Sequence, residues 1–331
     1  GPRRLARRIA VRMMVVDLQN TPPPTEWGVT VDLAAIEALA DLWAGTEFPL
    51  PEFDYPGTPT DRVDQWWFDY VTLGVSVMAC LWPPEGEAVW HAEHDGEWLD
   101  DAPGIFTCFT RTLGANGIDL DWFANLSDAE GAAFFAGRGV LQLIPERVQT
   151  LRHTAATLQQ RWEGSARHLV EEAGRDGSEI VRLLIETIPA FVDRPTTDAG
   201  IAHFDKLAHL AAAIMAAGVG WGDAGFSGYD SFPVYPDYML PRVFRHYGIM
   251  NYELALAEHI DGRLIVPADS QEEHAIRWAT VYAGAKLTEA LSERGTVVGG
   301  PALDYRLWSI AVLGPDARSF GEHHRTITQV Y

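Results

Sequence analysis

The chain has 331 residues and a formal net charge of −21, a balance that repels a phosphate backbone and argues against binding duplex nucleic acid or transfer RNA as its main role. Its 47% hydrophobic residues suffice for a large core, and its 12 Trp point to an aromatic-lined interior or pocket. No apolar run reaches the roughly 18 residues needed to cross a bilayer and no signal-peptide core is visible, so the chain reads as cytoplasmic, with no membrane partner.

Gly1-Pro2 reads as a cleavage scar and is left out of fold reasoning. Five of the first twelve residues are Arg and none is acidic. Such a block is a nucleic-acid arm or an amphipathic first helix with a solvated Arg face. The second reading is preferred, because a charge block alone is weak evidence.

Apolar residues at helical spacing predict a helix over 31–44, and the Pro/Gly-rich stretch 45–62 reads as loop. Residues 68–82, FDYVTLGVSVMACLW, are rich in Val and Thr and predict a strand. Asp95-Gly96 between 87–94 and 97–99 predicts a hairpin, so 65–100 reads as a small β-meander. Ser127-Asp-Ala-Glu130 is a capping box opening a short helix. Pro145 starts a helix running to Trp162, and Ser178 is the expected cap of SEIVRLLIETIP. Residues 201–217 are Ala-rich and predict a helix.

A long Gly/aromatic loop follows over 218–236; loops of that length inside a helical body are commonly functional. Short helices are expected over 241–248 and 252–259. Ser270-Gln-Glu-Glu273 is a second capping box, ahead of a helix to Ser292, and 303–313 is the last helix before a polar tail. The fold class is therefore mostly α with a small β-meander near the amino end. Residues 1–331 read as one domain, with 65–100 the β-element and 120–331 the helical body carrying the site. Cys80 and Cys108 match no zinc or redox spacing and read as reduced core residues.

Five groupings carry possible chemistry. His91 and His94 are three apart, but on a strand such residues face opposite sides, so a shared metal is disfavoured. Lys206 lies on the Ala-rich helix, where a lysine either snorkels to solvent or stands as a partly buried ammonium near a reacting centre. Asp237 sits between Pro236 and Tyr238 ahead of Pro241; it is either an N-cap or a carboxylate tuned for chemistry. Asp230 reads as a turn or cap residue. His323-His324-Arg325 is a cationic cluster that suits an anionic group, with His⁺ as second donor, or a solvated tail.

In order along the chain, several phrases are similar to those of the queuosine salvage family, from about Val29 to Tyr331. The family's Phe-Tyr-Lys-Arg-Ala-Gln helix is matched by the segment around Lys206, and its Phe-Ala-Asp-Tyr-Arg-Leu-Pro-Gln by Tyr235 to Arg242. A Leu-Gly-x-Leu-x-Tyr pattern is matched by Tyr247 to Tyr252, Glu-x-Glu-Ile-Arg by Glu273 to Arg277, and Asp-Tyr-x-Leu-Trp by Asp304 to Trp308. The closing His-Arg-x-Arg-x-x-Tyr pattern is matched by His324, Arg325 and Tyr331, with Ile327 in place of the second Arg.

The resemblance implies an α-helical fold like that of helix-hairpin-helix DNA glycosylases. It also implies release of a base from a queuosine-type nucleoside 5′-monophosphate, with Asp237 and Lys206 as the catalytic pair. Tyr235, Tyr238, Asp230, Asp304, Trp308, Arg277, His324 and Arg325 are the candidate substrate-binding residues. The expected partner is a small nucleoside or nucleotide, with no cofactor and no metal.

The chain departs from the family over Val71 to Met78, where the family's Asp, Asn, two Phe and Trp are replaced, and at Met239, Arg242 and Ala275. If that segment lines the base pocket, the substrate has changed. Two other readings stand beside the first: cleavage of a different modified nucleoside, or nucleotide binding without turnover. A metal hydrolase built on His91 and His94 is a third.

Overall fold

The computed structural model describes residues 14–59, 62, 64–114 and 117–331. The Arg-rich amino-terminal residues, with the helix expected there, lie outside the described residues. Among those described are thirteen α-helices and three two-stranded antiparallel sheets, so the fold is mostly α. No helix among them is long and apolar enough to cross a membrane. The chain forms two compact units. One holds the described residues up to Pro51, Asp193–Lys206 and Tyr229–Ile327; the other holds Glu52–Val192, Leu207–Gly228 and Thr328–Tyr331.

The first unit is built on the helix Gln271–Glu293, buried without a break from Glu273 to Gly284. A helix covered on every side needs no amphipathic stripe. Ser270 opens it, its hydroxyl accepting the Glu273 N–H. The return half of the expected capping box is absent, because the Glu273 carboxylate lies beside the Arg277 guanidinium, 3.3 Å away. The helix Leu33–Trp43 packs on the long helix with Ile36, Leu39, Ala40 and Trp43 buried, a stripe of spacing three and four. Asp32 caps it by accepting the N–H groups of Ala34 and Ala35. The strand Val29–Val31 pairs antiparallel with Met250–Tyr252.

The loop that precedes Asp237 is pinned by close approach. A Cβ on Gly300, the first residue of the helix Gly300–Val312, would lie 1.9 Å from the Phe232 carbonyl oxygen. Only glycine lets the two backbones meet there.

In the second unit the stretch expected to start the β-meander is a helix, Asp64–Ser76. Trp67, Phe68, Tyr70, Val71, Leu73 and Val75 are buried. Burial on all sides erases the periodicity that separates a strand from a helix, and packing overrides the β preference of Val and Thr. The hydroxyls of Thr72 and Ser76 return to the carbonyls of Phe68 and Leu73, at 2.6 and 2.8 Å, so the core holds no stranded hydroxyl there. Gly74 receives the Phe106 ring, 2.5 Å from where its Cβ would stand.

Past the helix, the Arg147 guanidinium, itself buried, donates to the carbonyls of Val77, Ala79 and Cys80 and fixes the turn. The β-element is then only the hairpin Ala92–His94 with Glu97–Leu99, turning at Asp95-Gly96 as expected, both residues at positive φ.

Further differences are local. Asp176, not Ser178, caps the helix Gly177–Thr187, since its carboxylate reaches the Glu179 N–H at 3.1 Å. The Ala-rich helix begins at Lys206, because Gly200–Ile201 pair as a strand with Thr196–Thr197 and Asp205 sits at φ 44°. The Ser127 capping box is complete. Both cysteines are free and buried, and burial pushes the Cys108 thiol up to about 12.

Asp69, 5% exposed, accepts the Ala166 N–H at 2.5 Å and the Ser165 hydroxyl at 3.2 Å. Burial nevertheless pushes its carboxyl from 3.8 up to about 7. Between those values the native state holds a proton that the unfolded chain has released. Its contribution is therefore fully present below the unfolded value and lost as pH rises toward 7. Asp69→Asn keeps an acceptor for Ala166 and cannot titrate. Urea unfolding of that variant between pH 5 and 7 is expected to lose ~1 kcal/mol per pH unit of the wild-type slope; an unchanged slope would contradict the assignment.

Candidate active site

Two carboxyls and one ammonium of the first unit act on one another. Asp237 ends the Gly/aromatic loop. Its own N–H donates to the Tyr235 carbonyl at 2.8 Å, and its Oδ1 accepts the N–H groups of Met239 at 2.8 Å and Leu240 at 2.9 Å. These bonds start the helix Leu240–His246, with Pro241 in its first turn where no N–H is missed. Asp237 is thus both the cap and the tuned carboxylate, two roles that the sequence leaves as alternatives. Asp304 lies in the helix Gly300–Val312, where its Oδ1 accepts the Tyr235 N–H at 2.7 Å. Lys206 is the first residue of its helix and is 7% exposed, so it does not snorkel.

The electrostatics follow from that placement. Burial raises the Asp237 carboxyl above its ordinary value, opposed by the Lys206 charge and by the amides of Leu240 and Met239. Burial raises Asp304 well above the carboxylate range, and the negative charge of Asp237 raises it further; the Tyr235 amide and Lys206 oppose the rise. Of the two, Asp304 holds its proton longer. Asp237 is half-buried and keeps contact with solvent, whereas Asp304 is 8% exposed. Burial and the neighbouring Asp304 charge also push the Tyr235 phenol well up.

Arg277 is 1% exposed on the long helix. Its guanidinium pairs with the Asp193 carboxylate and lies 3.3 Å from Glu273 Oε1. Its Nε donates to the Pro236 carbonyl at 3.3 Å, and its face covers the Phe204 ring at 4.0 Å. Burial raises the Asp193 carboxyl, and Arg277 opposes that rise.

The expected cationic cluster near the carboxyl end is largely neutral. Burial pushes His323 down to about 4 and His324 to about 3, so neither imidazole is a cation at neutral pH. His323 packs on Tyr238 at 5.0 Å, and Arg325 lies 3.4 Å from Glu322. Trp308 stacks on Tyr305, one turn beyond Asp304. Asp230 is exposed at the surface beside Gly299. In the second unit, His91 and His94 lie near different carboxylates, Asp100 at 3.9 Å and Asp95 at 3.6 Å. Among the described residues no group of three or more His, Cys, Asp or Glu is arranged to hold a metal ion.

Two residues of this network were not among the candidate site residues. Glu273 had a signal, since Glu273 and Arg277 stand four apart on a predicted helix. Asp193 had none, because it meets Arg277 only through the fold.

A half-buried carboxylate beside a proton-holding carboxyl and a buried ammonium is equipment for acid–base chemistry on a small molecule. A family profile described as queuosine salvage protein matches residues 63–331, and the chain belongs to that family. It is 28% identical over 306 residues to a Sphaerobacter thermophilus protein named queuosine 5′-phosphate N-glycosylase/hydrolase, covering 92% of this chain and 93% of that one. A Mus musculus protein of the same name is 27% identical over 181 residues, 52% of this chain and 53% of that one. One from Nematostella vectensis is 22% identical over 298 residues, 84% of each.

Removing Arg277 strips a buried partner from Asp193. Arg277→Met is expected to lose ~3–5 kcal/mol in urea unfolding at pH 7. The loss shrinks as acid neutralises Asp193. A cost independent of pH would show that packing, not charge, is what Arg277 supplies.

Proposed function

We propose that this protein is an N-glycosyl hydrolase that releases the 7-deazaguanine base from a queuosine-type nucleoside 5′-phosphate. The carrying observation is the Asp237–Asp304–Lys206 cluster, in a chain whose relatives bear that activity in their names. The kinship with helix-hairpin-helix DNA glycosylases, which also break an N-glycosidic bond, belongs to the same proposal.

In the proposed reaction the bond from C1′ to the base nitrogen breaks and its electron pair leaves with the base. Positive charge grows on the sugar, and the ionised Asp237 stabilises it. Water then attacks C1′ and gives its proton to Asp237. A 7-deazapurine has no N7 to protonate, so charge relief must come at other atoms of the base. Asp304, which keeps its proton while Asp237 is ionised, gives it to the departing base, and the proton that Asp237 takes from water restores it. Lys206 holds Asp237 ionised, its charge offsetting the burial of the carboxylate. Tyr235, Tyr238 and Trp308 are assigned to the walls of the substrate site and Arg325 to its polar rim, with the buried, neutral His324 behind it. These steps use protein groups and water alone.

The altered segment Val71 to Met78 does not by itself call for a different base. Val71, Thr72, Leu73 and Val75 are fully buried in the second unit, and Gly74 is filled by the Phe106 ring. Burial at Val71 and Val75 and the Phe106 ring against Gly74 support a packing role for three of the departures.

Mass spectrometry of released base after incubation with queuosine 5′-phosphate tests the reading. Asp237→Asn keeps the Oδ1 acceptor for Met239 and Leu240, so it is expected to melt close to wild type while kcat falls ~10²–10⁴-fold. Cleavage at the wild-type rate would remove Asp237 from the mechanism. Lys206→Met removes the charge that lowers the Asp237 carboxyl, so its ionisation moves to higher pH. The acidic limb of kcat/KM is then expected to shift upward in pH, and an unmoved limb would contradict the role given to Lys206.

A further inference from the structure

The two proposed catalytic residues stand on separate stretches of chain, Asp193–Lys206 and Tyr229–Ile327, and one side chain touches both. Arg277 donates to the carbonyl of Pro236, the residue before Asp237, at 3.3 Å. It also pairs with the Asp193 carboxylate, 3.3 Å separating Nη1 from Oδ1. The Asp193 carbonyl in turn accepts the N–H groups of Phe204 at 3.0 Å and Asp205 at 3.2 Å. The Asp205 carboxylate answers by accepting the Asp193 N–H at 3.1 Å. That reciprocal clasp closes immediately before Lys206, and the guanidinium face lies on the Phe204 ring inside it. At 1% exposure Arg277 offers no surface to a ligand.

We propose that Arg277 is a positioning residue that fixes the Asp237 stretch against the Lys206 stretch without touching substrate. The inference rests on the reading that these two residues carry the cleavage. It gives Arg277 a different role from the substrate contact expected of it. A planar fork suits that role, because Nε reaches one stretch, the Nη atoms the other, and the flat face covers an aromatic ring. An ammonium has no such fork.

Arg277→Lys keeps the buried charge and loses the fork. Hydrogen–deuterium exchange, thermal melting and steady-state cleavage of queuosine 5′-phosphate are read on the same full-length variant. Exchange is expected to quicken in peptides covering 193–206 and 235–242 and to stay unchanged at the far end of the long helix. A displacement of about 1 Å in a reacting group can cost ~100-fold in rate, so kcat is expected to fall ~10–100-fold with KM within about twofold.

Should Arg277→Lys fail to fold, Asp193→Asn, isosteric and able to accept from Arg277, takes its place with the same signs and a smaller fall in kcat. A raised KM at constant kcat would overturn the proposal and make Arg277 a substrate contact. Unchanged exchange in both peptides would also overturn it. If the wild-type protein releases no base, the proposed activity fails, and the exchange result alone decides the positioning role.

Discussion

Two carboxyl groups in one buried pocket of charge cannot both ionise cheaply, and the candidate site depends on that constraint. The Asp237 charge raises the cost of ionising Asp304, and the Lys206 ammonium acts on both. One unit of positive charge among two acids favours a state with a single proton between them. Burial raises both carboxyls; the amides of Met239 and Leu240 and the Lys206 charge oppose the rise at Asp237, while the Asp237 charge adds to it at Asp304, so Asp304 is raised further. In the proposed reaction that difference lets one aspartate serve as base and the other as acid.

The fold supplies this arrangement through a few close contacts in the first unit. Gly300 lets the Phe232 carbonyl sit against the start of the helix that carries Asp304. The Tyr235 N–H then bonds Asp304 itself, so the loop carrying one acid is tied to the other acid. Arg277 acts in the same way from the long helix, with one bond beside Asp237 and an ion pair to the turn before Lys206. A buried ion pair of this kind adds little net stability, because the desolvation of both partners offsets their attraction. Its use here is geometric.

Much of this was legible in the chain. Asp95-Gly96 marked its hairpin and Ser127 its capping box, since such signals live in four residues. Pro236-Asp237 ahead of Pro241 marked a candidate carboxylate, and the family resemblance, not the apolar helix, paired it with Lys206. The failures share a cause. Residues 68–80 are buried throughout, so no alternation or helical stripe remained to distinguish helix from strand. Glu273 had the spacing of a capping box, but its carboxylate is drawn to Arg277. His323 and His324 looked cationic because sequence shows charge type and hides burial. Asp193 was invisible, being brought to Arg277 from 84 residues away.

The proposed order of ionisation of Asp237 and Asp304 is open to direct observation. Carbon-13 NMR of the aspartate carboxyls, titrated from acid to alkaline pH, is the measurement. The account predicts a carboxyl that stays protonated far above the ordinary aspartate range and whose signal disappears in Asp304→Asn, while Asp237 ionises before it. If both carboxyls are ionised by pH 5, the acid and base assignments have no basis and the site must work in another way.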